Sequence, residues 1–187
     1  MSDWPPVPLR WPARALTDGV VVLDRMRTRD APAIVDAIDD EILRWLPLPA
    51  AYSRADALAF LEWQRDCAEL GVGLTFAVRE APSGPFAGSA GLHFRGGPGV
   101  VEIGYWIAPG ARGRGLATAA TRLLARHAAS TWAPRRVEIL VQPANLVSCR
   151  VAERAGAIYE GIRRAGIEHR GEARDVAVYA YTAADLA

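Results

Sequence analysis

The sequence predicts an α/β fold of the α+β type, with a mixed, mostly antiparallel central sheet of about seven strands and helices on both of its faces. Three observations support this prediction. A β-branched segment near the N-terminus precedes two helical segments, three apolar segments separated by Pro/Gly turns follow, and helices then alternate with strands. Helices that interrupt a sheet in this order cover its faces, because each helix buries one apolar stripe.

The N-terminal part is predicted to be an arm followed by one domain. Residues 1–19 hold four of the thirteen prolines and two of the six tryptophans, which predicts an extended arm that is pinned by a tryptophan or else partly disordered. Residues 20–187 are predicted to form a single domain with a sizeable core. Its first strand is expected over Val20–Met26, and a helix over Asp30–Leu46 has Pro32 in its first turn.

The remaining elements follow from capping and turn signals. Ser53, with Asp56 three residues later, resembles a capping box, and Gly71 closes the helix that Ser53 opens. The elements expected after it are strands over 74–80, 86–94 and 100–108, a helix from about 115 to 129, a strand over 136–142, a helix over 145–155, and closing strands over 157–166 and 173–182.

The composition argues against several classes of function. With 22 basic and 21 acidic residues the net charge is +1, which gives no electrostatic case for binding nucleic acid. No apolar run approaches the ~20 residues of a spanning helix, and the N-terminus resembles neither a signal nor a transit peptide, so no membrane association is expected. Cys67 and Cys149 lack metal or redox spacing, which predicts no metal site and a reducing, cytoplasmic setting.

The segment ARGRGLATAATRLLARHAAS, residues 111–130, is the most specific local feature of the chain. A predicted strand ends just before it, and a helix begins near Gly115. The first N–H groups of a helix lack partners and its dipole makes that end positive, so glycines there suit a phosphate or pyrophosphate. The spacing does not fit the dinucleotide fingerprint, which needs glycine at Thr118, or the Walker A loop. A helix start that needs glycine only for a tight entry is the alternative.

Two blocks of this sequence resemble the GNAT superfamily of acyl-CoA N-acyltransferases. The run Arg112-Gly113-Arg114-Gly115-Leu116-Ala117 fits that family's Gln/Arg-x-x-Gly-x-Gly/Ala loop, and VQPANLVSCRVAERAGAIYEGIRR, residues 141–164, fits a second family block. Together with EIGYWI, the blocks are similar to the branch that contains the ribosomal-protein N-terminal acetyltransferases. The specific resemblance covers about residues 100–165, and the N-terminal half fits in outline.

The resemblance implies an acetyl-CoA-dependent N-acetyltransferase whose sheet splays between its fourth and fifth strands. The loop amides would hold the CoA pyrophosphate, and the strand end at Ile107 would offer its backbone to the pantetheine arm and an N–H to the oxyanion. Acetyl-CoA is then a cosubstrate, and no metal is needed. The cofactor-binding residues implied are Ile107, Arg112, Gly113, Arg114, Gly115, Leu116, Ala117, Thr118 and Asn145.

Glu102 is the candidate general base, since only a neutral amine attacks a thioester. Strand alternation puts Val101, Ile103 and Tyr105 on one face and Glu102 with Trp106 on the other. A carboxylate among apolar strand residues is suited to accept a proton, through water. The resemblance supports this role, because many relatives carry a glutamate here. The alternative is a solvated carboxylate on an exposed face, paired with an arginine.

Ser148 is the second catalytic candidate. Many relatives place a tyrosine acid seven residues after the asparagine, but this chain has Ala152 there, and Ser148 is the nearest hydroxyl. It would donate a hydrogen bond to the CoA sulfur, as a contact or as a true acid. Alternatively, Asn145 caps a helix and Ser148 is an ordinary polar residue of its first turn.

The acceptor is expected to be a primary amine, at a protein N-terminus or on a small molecule. In relatives the two N-terminal helices wall the acceptor site, so Trp45, Tyr52 and Trp63 either contact substrate or belong to the core. His93 is a further candidate for the acceptor cleft, with a structural role as its alternative. A larger donor such as succinyl-CoA, or a non-catalytic CoA-binding module, are the competing functions, and a homodimer is expected by analogy alone.

Overall fold

Eight strands and five helices make up the fold in the computed structural model, which describes residues 4–5, 7–94 and 96–186. The strands are β1 (Leu16–Thr17), β2 (Val21–Arg25), β3 (Gly73–Glu80), β4 (Phe86–His93), β5 (Val100–Ile107), β6 (Arg136–Val141), β7 (Ile158–His169) and β8 (Glu172–Thr182). The helices are α1 (Ala31–Ala37), α2 (Asp40–Trp45), α3 (Arg54–Glu69), α4 (Leu116–Trp132) and α5 (Leu146–Ala155).

The strands form one mixed sheet in the order β1-β2-β3-β4-β5-β6-β8-β7. All neighbouring strands pair antiparallel except β5 and β6, which are parallel and are joined through α4. A parallel pair needs such a crossover, because a tight turn only reverses the chain. The predicted fold class is confirmed, and the sheet has one strand more than expected because the short β1 pairs with β2.

Two apolar layers enclose the sheet. On one face the buried side chains of α4, among them Leu124 and Ala128, pack against Leu92, Val101 and Ile103 of the strands. On the other face Ile34 of α1 and Ala57 of α3 pack with Ala77 of β3. Successive side chains of a strand point to opposite faces of the sheet, so neighbouring side chains of β5 contact different layers.

The helix predicted over Asp30–Leu46 is in fact two helices, which corrects the prediction. Ile38 leaves the helical conformation with φ −76° and ψ 108°, and α1 ends there. The carboxylate of Asp39 accepts the backbone N–H of Ile42 at 3.0 Å, so it caps a new helix, α2. An N-cap needs a non-helical backbone, and this local bond competes with continuing the first helix.

The N-terminal arm is held against the sheet and α4. The indole of Trp4 donates to the carbonyl of Trp132 at 3.2 Å, and that of Trp11 donates to the carbonyl of Thr75 at 3.1 Å. Leu9 between them is buried, 2% exposed. In the residues that the structure describes, the arm is therefore pinned by its tryptophans, which is the first of the two predicted alternatives. The division of the chain at residue 19 stays a prediction.

Candidate active site

The strands β5 and β6 separate in the middle of the sheet. Their register partners are Val100 with Arg136, Val101 with Val137 and Glu102 with Glu138, and β5 continues from there only with β4. A notch therefore opens directly after Glu102, at the position of the predicted splay. Backbone groups of the second half of β5 face this notch and are available to an extended ligand, as at any open strand edge.

The glycine–arginine loop lies beyond the end of β5 and leads into α4. Gly113 and Gly115 both have φ +77°, and a Cβ placed on either residue would meet no atom within 4 Å. Gly115 is the N-cap of α4, and no side chain among the described residues caps this 17-residue helix. The unpaired N–H groups and the helix dipole make this end attractive to an anion, and the glycines leave the approach to the backbone open.

Both arginines of the loop bond protein groups. The guanidinium of Arg112 forms two bonds to the Asp39 carboxylate, at 2.7 and 2.8 Å, and its Nε donates to the carbonyl of Ile107 at 3.1 Å. Arg114 bonds the Glu80 carboxylate at 2.9 Å and the carbonyl of Gly110 at 2.9 Å. The hydrogen bond from Arg112 lowers the pKa of Asp39 below its ordinary value. These contacts fix the shape of the loop and offset its positive charge.

A cavity of about 440 Å³ lies between α2, the loop and α5. Its volume is in the range of ligand sites. Two predicted site residues, Glu102 and Arg114, do not line it. The predicted residues that do are Ile107, Arg112, Gly113, Gly115, Leu116, Ala117, Thr118, Asn145 and Ser148. The sequence analysis expected the N-terminal helices, with Trp45, to wall the acceptor site, but it did not name Glu41 and Ile42 of α2, which line the cavity beside Trp45.

Ser148 and Asn145 meet at the start of α5. The side-chain oxygen of Asn145 accepts the Ser148 N–H at 3.0 Å, so Asn145 caps the helix as the sequence predicted. The Ser148 hydroxyl lies 2.9 Å from the Tyr105 hydroxyl, which also donates to the Ser148 carbonyl at 3.1 Å. Burial raises the pKa of Tyr105 to about 12, so the phenol keeps its proton at neutral pH.

Tyr105 is a candidate functional residue to which the sequence analysis gave no role. Strand alternation put it on the face of β5 that carries Val101 and Ile103, and its ring packs against the main core. The signal available in the sequence was its hydroxyl, because a buried tyrosine generally finds a hydrogen-bond partner. That partner is Ser148, 43 residues away in the chain.

Glu102 stands on the opposite face of β5 from Tyr105 and is half-buried. Its register partner on β4 is His93. The ring of His93 lies close to the backbone of Gly104, because a Cβ placed on Gly104 would come within 3.3 Å of the His93 Nε2. Glu138 of β6 is the other neighbour, and its carboxylate bonds Arg136 at 2.5 Å. The structure thus puts Glu102 at the apex of the notch, while its role as a base stays a prediction.

The three aromatic residues proposed for the acceptor side have different positions. Trp45 lines the cavity, and its indole donates to Glu41 at 2.7 Å. Tyr52 packs against the core between the sheet and the N-terminal helices, whereas Trp63 is 44% exposed and stacks on Phe60. The core alternative therefore holds for Tyr52 and is wrong for Trp63.

Cys67 and Cys149 are free thiols, the first buried and the second half-buried. No group of three metal-ligating side chains occurs among residues 4–5, 7–94 and 96–186. Within the same described part of the chain, no helix has the length and apolar character needed to cross a bilayer.

A splayed mixed sheet with a glycine loop and an open helix N-terminus at the notch defines an acyl-CoA-dependent acyltransferase, the class that the sequence resemblance implied. Residues 21–158 match the family model described as "Acetyltransferase (GNAT) domain". The chain therefore belongs to the GNAT acetyltransferase family and is an acyl-CoA-dependent N-acetyltransferase.

Relatives from three organisms agree with this assignment. The chain is 29% identical over 169 residues to "Putative ribosomal N-acetyltransferase YdaF" of Bacillus subtilis strain 168, covering 85% of this chain and 89% of that protein. It is 29% identical to Mycobacterium smegmatis RimJ in complex with CoA-disulfide, with a TM-score of 0.77 over 92% of this chain and 86% of that one. A GCN5-related N-acetyltransferase from Brucella melitensis is 26% identical, with a TM-score of 0.76 over 97% and 84% of the two chains.

Proposed function

We propose that the chain transfers the acetyl group of acetyl-CoA to the α-amino group at a protein N-terminus, by direct attack in a ternary complex. The observation that carries the proposal is the notch between β5 and β6, where the glycine loop, the cavity and Ser148 meet. The relatives support the acceptor, because one of them is named as a ribosomal N-acetyltransferase and another is RimJ.

The donor would lie along the loop and the free edge of β5. The amides of residues 112–118 would hold the pyrophosphate, which suits the uncovered glycines and the open N-terminus of α4. The backbone near Ile107 would pair with the pantetheine arm, and Asn145 would contact it from α5. In this proposal the side chains of Arg112 and Arg114 serve mainly to hold the loop, since each already binds a carboxylate.

Three groups of the chain would assist the transfer. Glu102 at the apex of the notch would take the proton of the acceptor amine, directly or through water. A backbone N–H near Ile107 would stabilise the oxyanion of the tetrahedral intermediate. Ser148, which lines the cavity, would donate a hydrogen bond to the departing CoA sulfur. Glu102 lies on the opposite face of β5 from Tyr105, the residue that bonds Ser148, so the two groups would approach the acyl carbon from opposite faces of the sheet.

Two further parts of the proposal concern the protein's surroundings. A cytoplasmic location is supported by the two free thiols and by the ribosomal relatives. A homodimer is supported by β7, which is an edge strand with exposed apolar side chains: Ile158 is 56%, Tyr159 52% and Ile162 47% exposed. Light scattering on the wild type and on Ile162→Glu tests the dimer, and a monomeric wild type would contradict it.

An acceptor panel tests the proposed activity. The purified protein is incubated with acetyl-CoA or succinyl-CoA and with three acceptors: a peptide with a free α-amine, the same peptide N-terminally blocked but carrying lysine, and a small polyamine. Mass spectrometry reports the acyl group added, and thiol release reports the rate. Acetylation of the free α-amine peptide alone is the expected result.

The other outcomes of the panel each contradict one part of the proposal. Acetylation of the polyamine alone would show an N-acetyltransferase with a different acceptor. A preference for succinyl-CoA would overturn the proposal that acetyl-CoA is the acyl donor. Binding of acetyl-CoA without transfer to any amine would indicate a non-catalytic CoA-binding module.

A further inference from the structure

We propose that Tyr105 is a positioning residue for the transfer, and that its hydroxyl prepares the Ser148 hydroxyl to donate to the CoA sulfur. This inference rests on the proposed function and adds to it a residue on β5. It begins from a hydrogen-bond arrangement of three oxygen atoms that share the protons of two hydroxyl groups. Those groups are the Tyr105 O–H, the Ser148 O–H and the Ser148 carbonyl.

The arrangement has two settings, because the tyrosine has one proton to donate. In the first setting the Tyr105 O–H donates to the Ser148 carbonyl at 3.1 Å, and the serine proton points at the phenol oxygen. In the second setting the Tyr105 O–H donates across 2.9 Å to Ser148 Oγ, and the serine proton is free to point into the cavity. Rotation of two O–H bonds, without movement of heavy atoms, converts one setting into the other.

The second setting is the one that assists departure of the thiol. When the tetrahedral intermediate collapses, the carbon–sulfur bond breaks and its electron pair passes to sulfur. The Ser148 O–H then donates to that sulfur while the Tyr105 O–H donates to Ser148 Oγ. A hydroxyl that accepts a hydrogen bond is itself a stronger donor, since hydrogen bonds in a chain polarise one another. CoA leaves as the thiolate and takes its proton from water, so neither oxygen has to lose one.

The surroundings of the phenol suit a donor that stays neutral. Its pKa of about 12, raised by burial, keeps the proton on Tyr105 across the physiological range. Ala152 lies one helical turn after Ser148 on α5 and is fully buried, 0% exposed. The turn of α5 next to Ser148 therefore offers no hydroxyl at this position, and the phenol that bonds Ser148 comes from β5.

A double-mutant cycle tests this coupling. Tyr105→Phe removes only the hydroxyl and is expected to lower kcat about ten-fold, the effect of about one hydrogen bond, with the KM for acetyl-CoA changed by less than about two-fold. Ser148→Ala is expected to lower kcat at least as much. The double variant should be no slower than Ser148→Ala, because Tyr105 acts only through the serine.

The chain offers a matched control. Tyr181 of β8 is also a buried tyrosine, 3% exposed, and its hydroxyl has no hydrogen-bond partner in the described part of the chain. Tyr181→Phe should leave kcat unchanged. If Tyr105→Phe proves unstable on thermal unfolding, fluorotyrosine at position 105 replaces it: this ring keeps its shape and donates more strongly, so kcat should equal or exceed that of the wild type.

The outcomes separate this inference from the proposed function. A wild-type kcat for Tyr105→Phe, or the same loss in the Ser148→Ala background as in the wild type, would overturn the role of Tyr105 alone. Lower activity of the fluorotyrosine protein would also overturn it. If neither Ser148→Ala nor Glu102→Gln slows the transfer, the assignment of the catalytic site itself is wrong.

Discussion

Arg112 and Asp39, 73 residues apart in the chain, form a two-pronged ion pair that ties the glycine loop to the start of α2. Asp39 also caps α2 through the Ile42 N–H, and Arg112 also bonds the Ile107 carbonyl at the end of β5. This one pair of side chains therefore joins the start of α2, the glycine loop and the end of β5, each of which contributes residues to the cavity lining. The two parallel hydrogen bonds need the planar guanidinium group of arginine, which lysine lacks.

Loss of this pair should loosen the donor site. Arg112→Gln and Asp39→Asn are each expected to weaken CoA binding by up to about five-fold, and the double variant no further, because both remove the same contact. Asparagine keeps the N-cap of α2, so the helix itself is preserved. Calorimetric titration with CoA measures the three affinities. Glu69→Gln is the control, because it breaks an exposed ion pair with Arg10, and neither of these residues belongs to the loop or lines the cavity.

Additive losses in this cycle would show that Arg112 and Asp39 act separately. A much larger loss for Arg112→Gln than for Asp39→Asn would mean that the guanidinium leaves Asp39 to bind phosphate directly.

The same pair gives stability a dependence on pH. Arg112 lowers the pKa of Asp39 in the folded protein below the ordinary 3.8, mainly through the side-chain hydrogen bond. A depressed carboxyl pKa contributes stability that is present above the unfolded value and is lost as pH falls through the folded value. The free energy of unfolding should therefore be higher for the wild type than for Asp39→Asn at pH 7, and the difference should shrink below pH 3.8. Urea unfolding at several pH values measures it, and a difference that persists unchanged at the lowest pH would count against the ion pair.

Gly115 tests whether the helix start holds an anion. Asparagine and aspartate have nearly the same size, and both tolerate the left-handed conformation at φ +77°, so each should cost about 1 kcal/mol of stability or less. Gly115→Asp adds a negative charge where the pyrophosphate is proposed, and it should abolish CoA binding. Gly115→Asn should retain weakened binding. Equal affinities for the two variants would show that no anion approaches this residue.

Glu102→Gln tests the base. Turnover should fall about a hundred-fold. The wild-type rate should rise with pH as the base ionises, and this rise should be absent from the variant. The matched variant is Glu138→Gln on the neighbouring strand, which removes a carboxylate bonded to Arg136 and should change stability more than the pH–rate profile. A Glu102→Gln enzyme with the wild-type profile would remove Glu102 from the mechanism.

Local patterns were sufficient for much of this fold. The strand that leads into Gly113 and Gly115 and the helix after them are adjacent in sequence, so turn and capping rules located them. The capping box of Ser53 and Asp56 was predicted for the same reason and is present, with the Asp56 N–H bonded to Ser53 at 3.3 Å. Alternation along β5 likewise predicted that Glu102 and Tyr105 lie on opposite faces.

The contacts that complete the site depend on packing between distant segments. The bond of Tyr105 to Ser148 exists because β5 leaves β6 and α5 lies beside the gap, which no single stretch of sequence encodes. The split at Ile38 is local, but Asp39 is one of three consecutive acidic residues, and sequence alone does not say which of them caps a helix.

Thermal unfolding with and without acetyl-CoA, succinyl-CoA and free CoA tests the central claim most directly. Ligand at about a hundred times its dissociation constant adds about 2.7 kcal/mol of stability, which is readily measured. We predict a clear stabilisation of the wild type that is largest with acetyl-CoA and absent from Gly115→Asp. No stabilisation of the wild type by any of the three would contradict a CoA site at the loop and the notch, and equal stabilisation of Gly115→Asp would place CoA elsewhere on the protein.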